Sequence, residues 1–273
     1  MSEQAPTLRT ARERVDAGRL VAWSSAWLAG LVSYDDALAA VTRDRLHQVS
    51  GLADHPDPVP LGWALTELRA TGAAAVRLVL PVPGDLTGLP GPEGLRRAAL
   101  TSTAAAVAAA QDAGLALVPR REEHGNETEG QTVSIAWTAF ATEPLPGLVY
   151  LPLAEADHDL STALRESTES LLTLDVARWR PELAEAITDL RRTARSGRDE
   201  GSWLPTGYPA RARLLLSRAA QLGRVVELAT ADDPGASITT GEVNGRRAAL
   251  ASLERAVRRA RLAAYNCFGV EPD

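Results

Sequence analysis

The stretch AAAVRLVL at residues 73–80 decides the fold, together with the loop PVPGDLTGLPGP at residues 81–92 and the alanine-rich run from Glu93 to Ala113. The first segment is almost unbroken in its apolar character, which is typical of a strand buried on both faces of a sheet. The alanine-rich segment has strong helix propensity and precedes a second apolar run at Leu115–Val118. The order strand, helix, strand predicts a right-handed crossover between parallel strands.

Further elements are predicted on both sides of this unit. Upstream, apolar residues recur at three- and four-residue steps between Leu20 and Leu31, which predicts a helix with Trp23 and Trp27 in the core. Downstream, two stretches with strand character on either side of a polar loop predict a β-hairpin at residues 115–122 and 131–140. The other predicted elements are helices at 34–46, 61–70, 157–174, 181–193, 209–230 and 244–266, and a short strand at 148–153.

Together these elements predict an α+β fold with a mixed α/β character. Residues 1–153 are expected to hold helices and a small mixed sheet of three or four strands. Residues 154–273 are expected to form a helical domain, a C-terminal bundle that packs on the first part. The length of 273 residues agrees with about two domains, and a hydrophobic fraction of 45% supplies a sizeable core.

The composition excludes several kinds of chemistry. All 29 basic residues are arginine, so Schiff-base lysines, P-loop lysines and the lysine of protein kinases are excluded. A single cysteine, Cys267, excludes an internal disulfide and a cysteine-based zinc site. The four histidines show no metal-ligand spacing. We therefore expect neither a metal nor a cofactor.

Charge and hydropathy bound the partners and the location. A net charge of -6 and a pI near 5.4 argue against nucleic acid as the main partner. The N-terminal residues lack the apolar core of a signal peptide. The most apolar early run, Leu20–Val32, is shorter than the roughly 20 residues of a membrane span. We therefore expect a cytoplasmic protein that does not enter a membrane.

The loop Pro81–Pro92 is a candidate ligand site, because it follows a strand and leads into a helix. Its glycines do not match a dinucleotide fingerprint, so a stiff surface loop is the simpler interpretation. If the hairpin folds back, His124 could approach Asp85 and form an acid–base pair, although a solvated histidine is the simpler interpretation. The candidates are Asp85 and His124 for catalysis, and Gly84, Asp85, Arg96 and Arg120 for ligand binding.

Arginines of the last helix form a second candidate site. Arg255, Arg258 and Arg259 lie opposite its apolar stripe, where a solvated face is the simplest interpretation. An acidic protein partner and a nucleic-acid backbone are the alternatives. The acidic segment 151–200 could pair with these arginines within one molecule or between two copies.

The leading hypothesis is a non-enzymatic, cytoplasmic interaction or regulatory protein that associates with a protein partner or with itself as a homo-oligomer. It depends on the scarcity of catalytic residue types, and the sequence shows no resemblance to a family of known activity. The first alternative is a small-ligand-binding protein or enzyme that uses Asp85 and His124. The second is nucleic-acid contact through the last helix.

Overall fold

A computed structural model describes residues 4–89, 91–108, 110, 114–125, 132–143, 151–173, 200–231 and 240–268. Seven helices and six strands lie in these residues. The helices are α1 (Gln4–Leu28), α2 (Tyr34–Thr42), α3 (Leu61–Ala70), α4 (Glu93–Ser102), α5 (Leu153–Thr173), α6 (Ala210–Ala231) and α7 (Thr240–Asn266). The strands are β1 (His47–Ser50), β2 (Val59–Pro60), β3 (Val76–Val79), β4 (Ala105–Ala108), β5 (Gly114–His124) and β6 (Thr132–Thr142).

The six strands form one mixed sheet in the order β2-β1-β6-β5-β4-β3. The β1–β6 pair is parallel and the other four pairs are antiparallel. The mixed sheet with flanking helices, followed by C-terminal helices, confirms the α+β prediction. The expected number of three or four strands is wrong, because β1, β2 and β4 were not foreseen.

The alanine-rich segment is the main departure from the sequence prediction. Its helix ends at Ser102, where Thr103 takes a left-handed φ of 61°. The next residues form β4, and all four of its alanine and valine side chains are buried. Small side chains suit a strand covered by helices, so burial overrides the helix propensity of alanine. After α4 the chain enters β4, which is antiparallel to β3. Strands β3 and β5 therefore run in the same direction, but the predicted strand–helix–strand crossover does not join them.

The predicted hairpin is confirmed. Strands β5 and β6 pair in register from Gly114↔Thr142 to His124↔Thr132. One face of the sheet packs under α4, and the other lies under α1, whose acidic residues contact β5 from that side. Buried residues on the α4 face are Val79, Leu89, Leu95, Ala99, Ala105, Val107, Ala116 and Val118.

A serine of helix α1 forms hydrogen bonds with the backbone of strand β3. The Ser25 hydroxyl donates to the Val76 carbonyl oxygen at 3.1 Å and accepts from the Val76 amide at 3.0 Å. Both backbone groups lie at an edge strand that would otherwise expose them. Trp27, further along α1, is buried as predicted, with the Arg69 guanidinium over its ring.

The C-terminal helices have their own core. Helix α5 begins four residues earlier than predicted, so Leu153 is helical, and the predicted strand at 148–153 is wrong at this residue. The helix predicted at residues 181–193 lies outside the described residues. The core is formed by α5, α6 and α7 through Ala156, Leu160, Ala163, Leu215, Ala219, Val226, Leu253, Ala256, Val257, Ala260 and Ala263.

Contacts divide the chain into two compact units. Unit 1 is Met1–Val149 with Leu204–Gly207 and Phe268–Glu271. Unit 2 is Tyr150–Trp203 with Tyr208–Cys267 and Pro272–Asp273. That residues 1–153 and 154–273 form two separate domains stays a prediction.

Candidate functional site

A cluster of charged side chains lies between α1 and the sheet in unit 1. Its floor follows from the strand register, because Ile135 of β6 pairs with both His47 of β1 and Arg121 of β5. Paired residues of neighbouring strands share a face, so His47 and Arg121 flank Ile135 on one face. Glu13 and Asp16 of α1 contact Arg121 on this face.

Glu13 is almost fully buried, with 1% of its surface exposed. Its Oε1 accepts a hydrogen bond from the Arg121 backbone amide at 2.9 Å and lies 3.7 Å from Arg9 Nε. Burial raises the pKa of Glu13, and the Arg121 amide and the Arg9 charge oppose that effect without cancelling it. Glu13 therefore holds its proton more firmly than a solvated glutamate does.

Asp16 lies between two guanidinium groups and is closer to Arg121. Its carboxylate oxygens are 3.5 Å from Arg121 Nη1 and 3.9 Å from Arg45 Nη1, distances too long for good hydrogen bonds. The buried Oδ2 atom has no hydrogen-bond partner within the described part of the chain. Burial raises the pKa of Asp16 although four arginines oppose it.

His47 is a buried, neutral imidazole. Its Nδ1 accepts a hydrogen bond from Trp137 Nε1 at 3.1 Å, and only 5% of the residue is exposed. Burial, followed by the charges of Arg45 and Arg121, lowers the pKa of His47 to about 4. At neutral pH the ring proton is therefore on Nε2, because Nδ1 is the acceptor. Nε2 has no hydrogen-bond partner among the described residues.

A strained turn brings Arg45 beside this cluster. Arg43 and Asp44 both adopt left-handed conformations, with φ values of 47° and 59°. Such conformations cost non-glycine residues about 1 kcal/mol or more each, and they concentrate at functional sites. The Arg43 amide also caps α2 by donating to Ala39 at 2.9 Å. The turn reverses the chain between α2 and β1, so that Arg45 reaches Asp16 two residues before the sheet begins.

A pocket of about 570 Å³ opens beside His47 and Arg45. Two large apolar side chains of the pocket are unusually exposed: Leu46 at 60% and Trp63 at 50%. The pocket lies among α2, the start of β1, and α3. Its lining residues are Tyr34, Leu38, Thr42, Arg45, Leu46, His47, Pro60, Leu61, Gly62, Trp63 and Thr66.

The first turn of α3 lies on the pocket wall. Pro60 is the N-cap of α3 and provides no side-chain hydrogen bond to the first amides of the helix. Gly62 in this turn lets α2 approach, because a Cβ atom there would collide with the Tyr34 hydroxyl. Tyr34 is held in turn by an edge-to-face contact with Trp27, with ring centroids 5.6 Å apart.

The lining offers donors but little nucleophilic chemistry. Within the described lining, the hydroxyl of Thr42 donates to Leu38 O at 3.0 Å, and that of Thr66 donates to Gly62 O at 3.1 Å. Both hydroxyls therefore serve their own helices. The Arg45 guanidinium, the neutral His47 imidazole, the Trp63 indole N–H and the Tyr34 hydroxyl remain as the polar side-chain groups of an otherwise mainly apolar pocket. Such an arrangement can bind and orient a small molecule that has one polar end.

The Asp85 loop is held by local bonds. Val82 and Asp85 exchange two backbone hydrogen bonds, at 2.9 and 3.1 Å. Asp85 Oδ1 also accepts from the Thr87 amide at 3.1 Å, as in an Asx turn. Gly84 takes a left-handed φ of 87° in this turn, and Arg96 is exposed on α4.

His124 and Arg120 have different neighbours. His124 is the last residue of β5, and its Nε2 lies 2.7 Å from Ser134 Oγ on β6. Arg120 pairs with Glu122. Asp85 and His124 therefore bond to separate local partners, and their catalytic role stays a prediction, as does ligand binding by the loop.

The arginines of α7 differ in their surroundings. Arg259 lies 3.1 Å from Asp159 and 3.8 Å from Glu155, both on α5. This is the intramolecular form of the pairing between the arginine face and the acidic segment. Arg255 is exposed and Arg258 is half-buried. Their role in partner binding stays a prediction.

The sequence analysis missed the charged cluster. Glu13 and Asp16 lie three residues apart and continue the buried stripe of α1 towards the N-terminus through Leu20. Arg121 ends the alternation that begins with Leu115 and Leu117 in β5. Charged residues in apolar positions of two elements were a signal that these elements meet through a buried ionic cluster.

Two features are missing from the part of the chain that the structure describes. No described helix combines the length and the apolar character that crossing a membrane requires. Within the same residues, no group of three or more His, Cys, Asp or Glu side chains could hold a metal ion.

Comparisons with known proteins give matches over both parts of the chain. Residues 17–149 match the N-terminal domain of the Rv1486c-like proteins, and residues 154–262 match their C-terminal domain. The uncharacterized protein Rv1486c of Mycobacterium tuberculosis is 28% identical over 281 residues, which cover 90% of this chain and 94% of that protein. The uncharacterized protein ML1804 of Mycobacterium leprae is 23% identical, with 91% and 95% covered. No solved structure matches significantly.

Proposed function

For this chain, which belongs to the family of Rv1486c-like proteins, we propose that unit 1 binds a small molecule in the pocket among α2, β1 and α3. One observation carries the proposal: His47, whose Nε2 has no hydrogen-bond partner among the described residues, lines an otherwise mainly apolar cavity of about 570 Å³ together with Arg45. This volume lies within the usual range of small-ligand sites, roughly 300–1,000 Å³. A few polar groups in an apolar wall are what such sites use to orient a ligand.

The lining supports binding rather than catalysis. The two threonine hydroxyls donate to helix carbonyls, and Asp16 faces arginines. Neutral His47 already uses Nδ1 as an acceptor for Trp137, so its Nδ1 is not available as a base for a ligand. We therefore propose a non-enzymatic regulatory protein whose state follows the concentration of a metabolite, and its location in the cytoplasm stays a prediction.

A pocket-filling substitution tests the proposal. Thr66 lines the pocket and is exposed, so Thr66→Trp fills the cavity from α3 without disturbing the core. Ala70→Trp places the same side chain on an exposed position of α3 outside the lining and serves as the matched control. A library of small molecules with apolar bodies and neutral, anionic or cationic ends is screened against the three proteins by saturation-transfer NMR.

We expect compounds that saturate with the wild-type protein and with Ala70→Trp but lose their signal with Thr66→Trp. Unchanged thermal unfolding of Thr66→Trp would show that the loss comes from the filled pocket. The proposal is wrong if no compound distinguishes the Thr66→Trp protein from the Ala70→Trp protein.

A second candidate function is self-association through α6 of unit 2. Leu214 is 72% exposed and Leu228 is 38% exposed, and the half-exposed Val225 lies with them on one face of the helix. Exposed apolar side chains that share a helix face favour contact with a second copy of the chain.

Sedimentation velocity should show a concentration-dependent dimer that Leu214→Glu abolishes. Thr230→Glu, which adds the same charge at an exposed position away from this face, should retain the dimer. Monomers at all concentrations would exclude self-association.

A further inference from the structure

We propose that the ligand of this pocket is an organic monocarboxylate with an apolar or aromatic body. The inference rests on the proposed binding function and adds the chemical class of the ligand. Three features point to it: the charge balance near the pocket, the donors among its lining residues, and the helix end in its wall.

The charged cluster behind the pocket is rich in arginine. The charges with the largest effects on Glu13, Asp16, Arg121 and His47 belong to six arginines and to the carboxylates of Glu13 and Asp16 themselves. This excess of positive charge stands out in a chain whose net charge is -6. A local positive potential raises the affinity for an anion. The six arginines are Arg9, Arg12, Arg19, Arg43, Arg45 and Arg121.

Arg45 is the member of this group that lines the pocket. Its side chain is 38% exposed, and its guanidinium makes no hydrogen bond within the described part of the chain. The one ion pair it forms there, with Asp16, spans 3.9 Å, while Asp16 lies closer to Arg121, at 3.5 Å. The guanidinium donors of Arg45 are thus available to a carboxylate, which accepts well from such a group.

His47 supplies a second, neutral donor at a fixed position. Its Nδ1 is held by Trp137, so its Nε2–H direction is fixed by the ring orientation. One full positive charge and one neutral N–H match a ligand group with a single negative charge and two acceptor oxygens. Among the lining residues only Arg45 carries a full charge, so the direct contacts match a singly charged group better than a phosphate dianion.

The start of α3 completes the anion site. Gln48 pairs with Pro60 and Val49 with Val59, so the register places His47 level with Leu61, the first residue of α3. The first amides of this ten-residue helix have no side-chain cap. Uncapped N-terminal amides and the helix dipole favour a bound anion.

The rest of the wall suits a flat apolar body. Trp63 is half exposed and packs against His55, with ring centroids 4.6 Å apart. Leu38 and Leu61 also line the pocket. An aromatic ring can stack on such a tryptophan while its carboxylate reaches Arg45.

Three compounds with one body test the charge preference: 1-naphthaleneacetate, 1-naphthaleneacetamide and 2-(1-naphthyl)ethylamine. Their dissociation constants are measured by isothermal titration calorimetry with the whole 273-residue chain. We expect the acid to bind about ten-fold or more tightly than the amide, and the amine to bind most weakly, since hydrogen bonds to charged groups are the stronger ones.

Arg45→Gln should remove this preference and leave the binding of the amide nearly unchanged. Arg43→Gln, two residues earlier, is the matched control, because Arg43 is exposed and does not line the pocket. It should retain most of the preference. Thermal unfolding of both variants checks that the fold is intact.

Equal binding of acid and amide, or no binding of any of the three compounds, would overturn the carboxylate assignment. An acid preference that survives in Arg45→Gln would also overturn it. The Thr66→Trp library screen decides the binding function separately, so a pocket that prefers neutral or cationic compounds would leave that function standing.

Discussion

Replacing His47 by glutamine should reduce the loss of unfolding free energy that the protein shows as the pH falls below 7. His47 is 5% exposed, and burial, followed by the charges of two arginines, lowers its pKa to about 4 from an ordinary value of 6.5. The folded protein therefore binds this proton less readily than the unfolded chain does. A group of this kind stabilises the fold fully above pH 6.5, and its contribution is lost as the pH falls towards 4.

The size of the effect follows from these two pKa values. Between pH 7 and pH 5, protonation of the unfolded imidazole lowers the free energy of unfolding by about 2 kcal/mol, and by pH 4 the loss approaches about 3 kcal/mol. Solvent screening does not reduce this free-energy change, because the ring is buried. Burial raises the pKa of both Glu13 and Asp16, so these groups act with the opposite sign and stabilise the fold as the pH falls.

Urea unfolding at several pH values measures the effect. The difference in unfolding free energy between wild type and His47→Gln cancels the carboxylate contributions to first order, because both proteins contain them. Glutamine can still accept from Trp137 Nε1 but cannot titrate. The wild type should lose about 2 kcal/mol relative to the variant between pH 7 and pH 5.

The exposed His158→Gln is the control and should follow the wild-type profile. Parallel profiles for wild type and His47→Gln, with a change below about 0.5 kcal/mol, would refute the buried neutral imidazole. Trp137→Phe gives an independent check. It leaves the Nδ1 acceptor unpaired and should cost about 1–3 kcal/mol at pH 7, before any loss of packing.

Two further substitutions probe the buried ion pair and the backbone. Asp16→Asn should lower the free energy of unfolding in urea by about 3 kcal/mol, because it leaves Arg121 buried without its counter-charge. The double variant Asp16→Asn/Arg121→Gln should lose less than the sum of the two single losses, and additive losses would contradict the pairing. Gly51→Ala should destabilise the fold clearly more than Gly72→Ala in the same assay. Both glycines have a positive φ, but only at Gly51 would a Cβ atom lie 2.7 Å from the Ala139 carbonyl oxygen. Equal losses of stability would contradict that close approach.

The elements with clear periodicity were predictable. The hairpin β5–β6 follows from two stretches of strand character on either side of a polar loop, and the last helix follows from its apolar stripe. Strand β4 was not predictable in this way, because AAVA carries no periodicity and alanine favours helices. Its strand conformation depends on neighbours far away in the sequence, β3 and β5.

The candidate site was less accessible than the fold. The residues of the site lie far apart in the sequence. Arg45 and His47 lie about thirty residues after Asp16, and Arg121 lies more than seventy residues after His47. No short motif contains them. The parallel pairing of β1 with β6, which puts His47 and Arg121 on one face, joins segments almost ninety residues apart. Local patterns do not specify such a pairing.

Fluorine NMR of the protein labelled with 5-fluorotryptophan tests the central claim most directly, because Trp63 lines the pocket and is half exposed. The chain has six tryptophans, and the Trp63 resonance is assigned with Trp63→Phe. During a titration with 1-naphthaleneacetate, we predict a saturable shift of the Trp63 resonance that Thr66→Trp abolishes, while Trp203 of unit 2 stays unchanged. A Trp63 resonance that does not move, or one that moves equally in Thr66→Trp, would contradict a carboxylate site in this pocket.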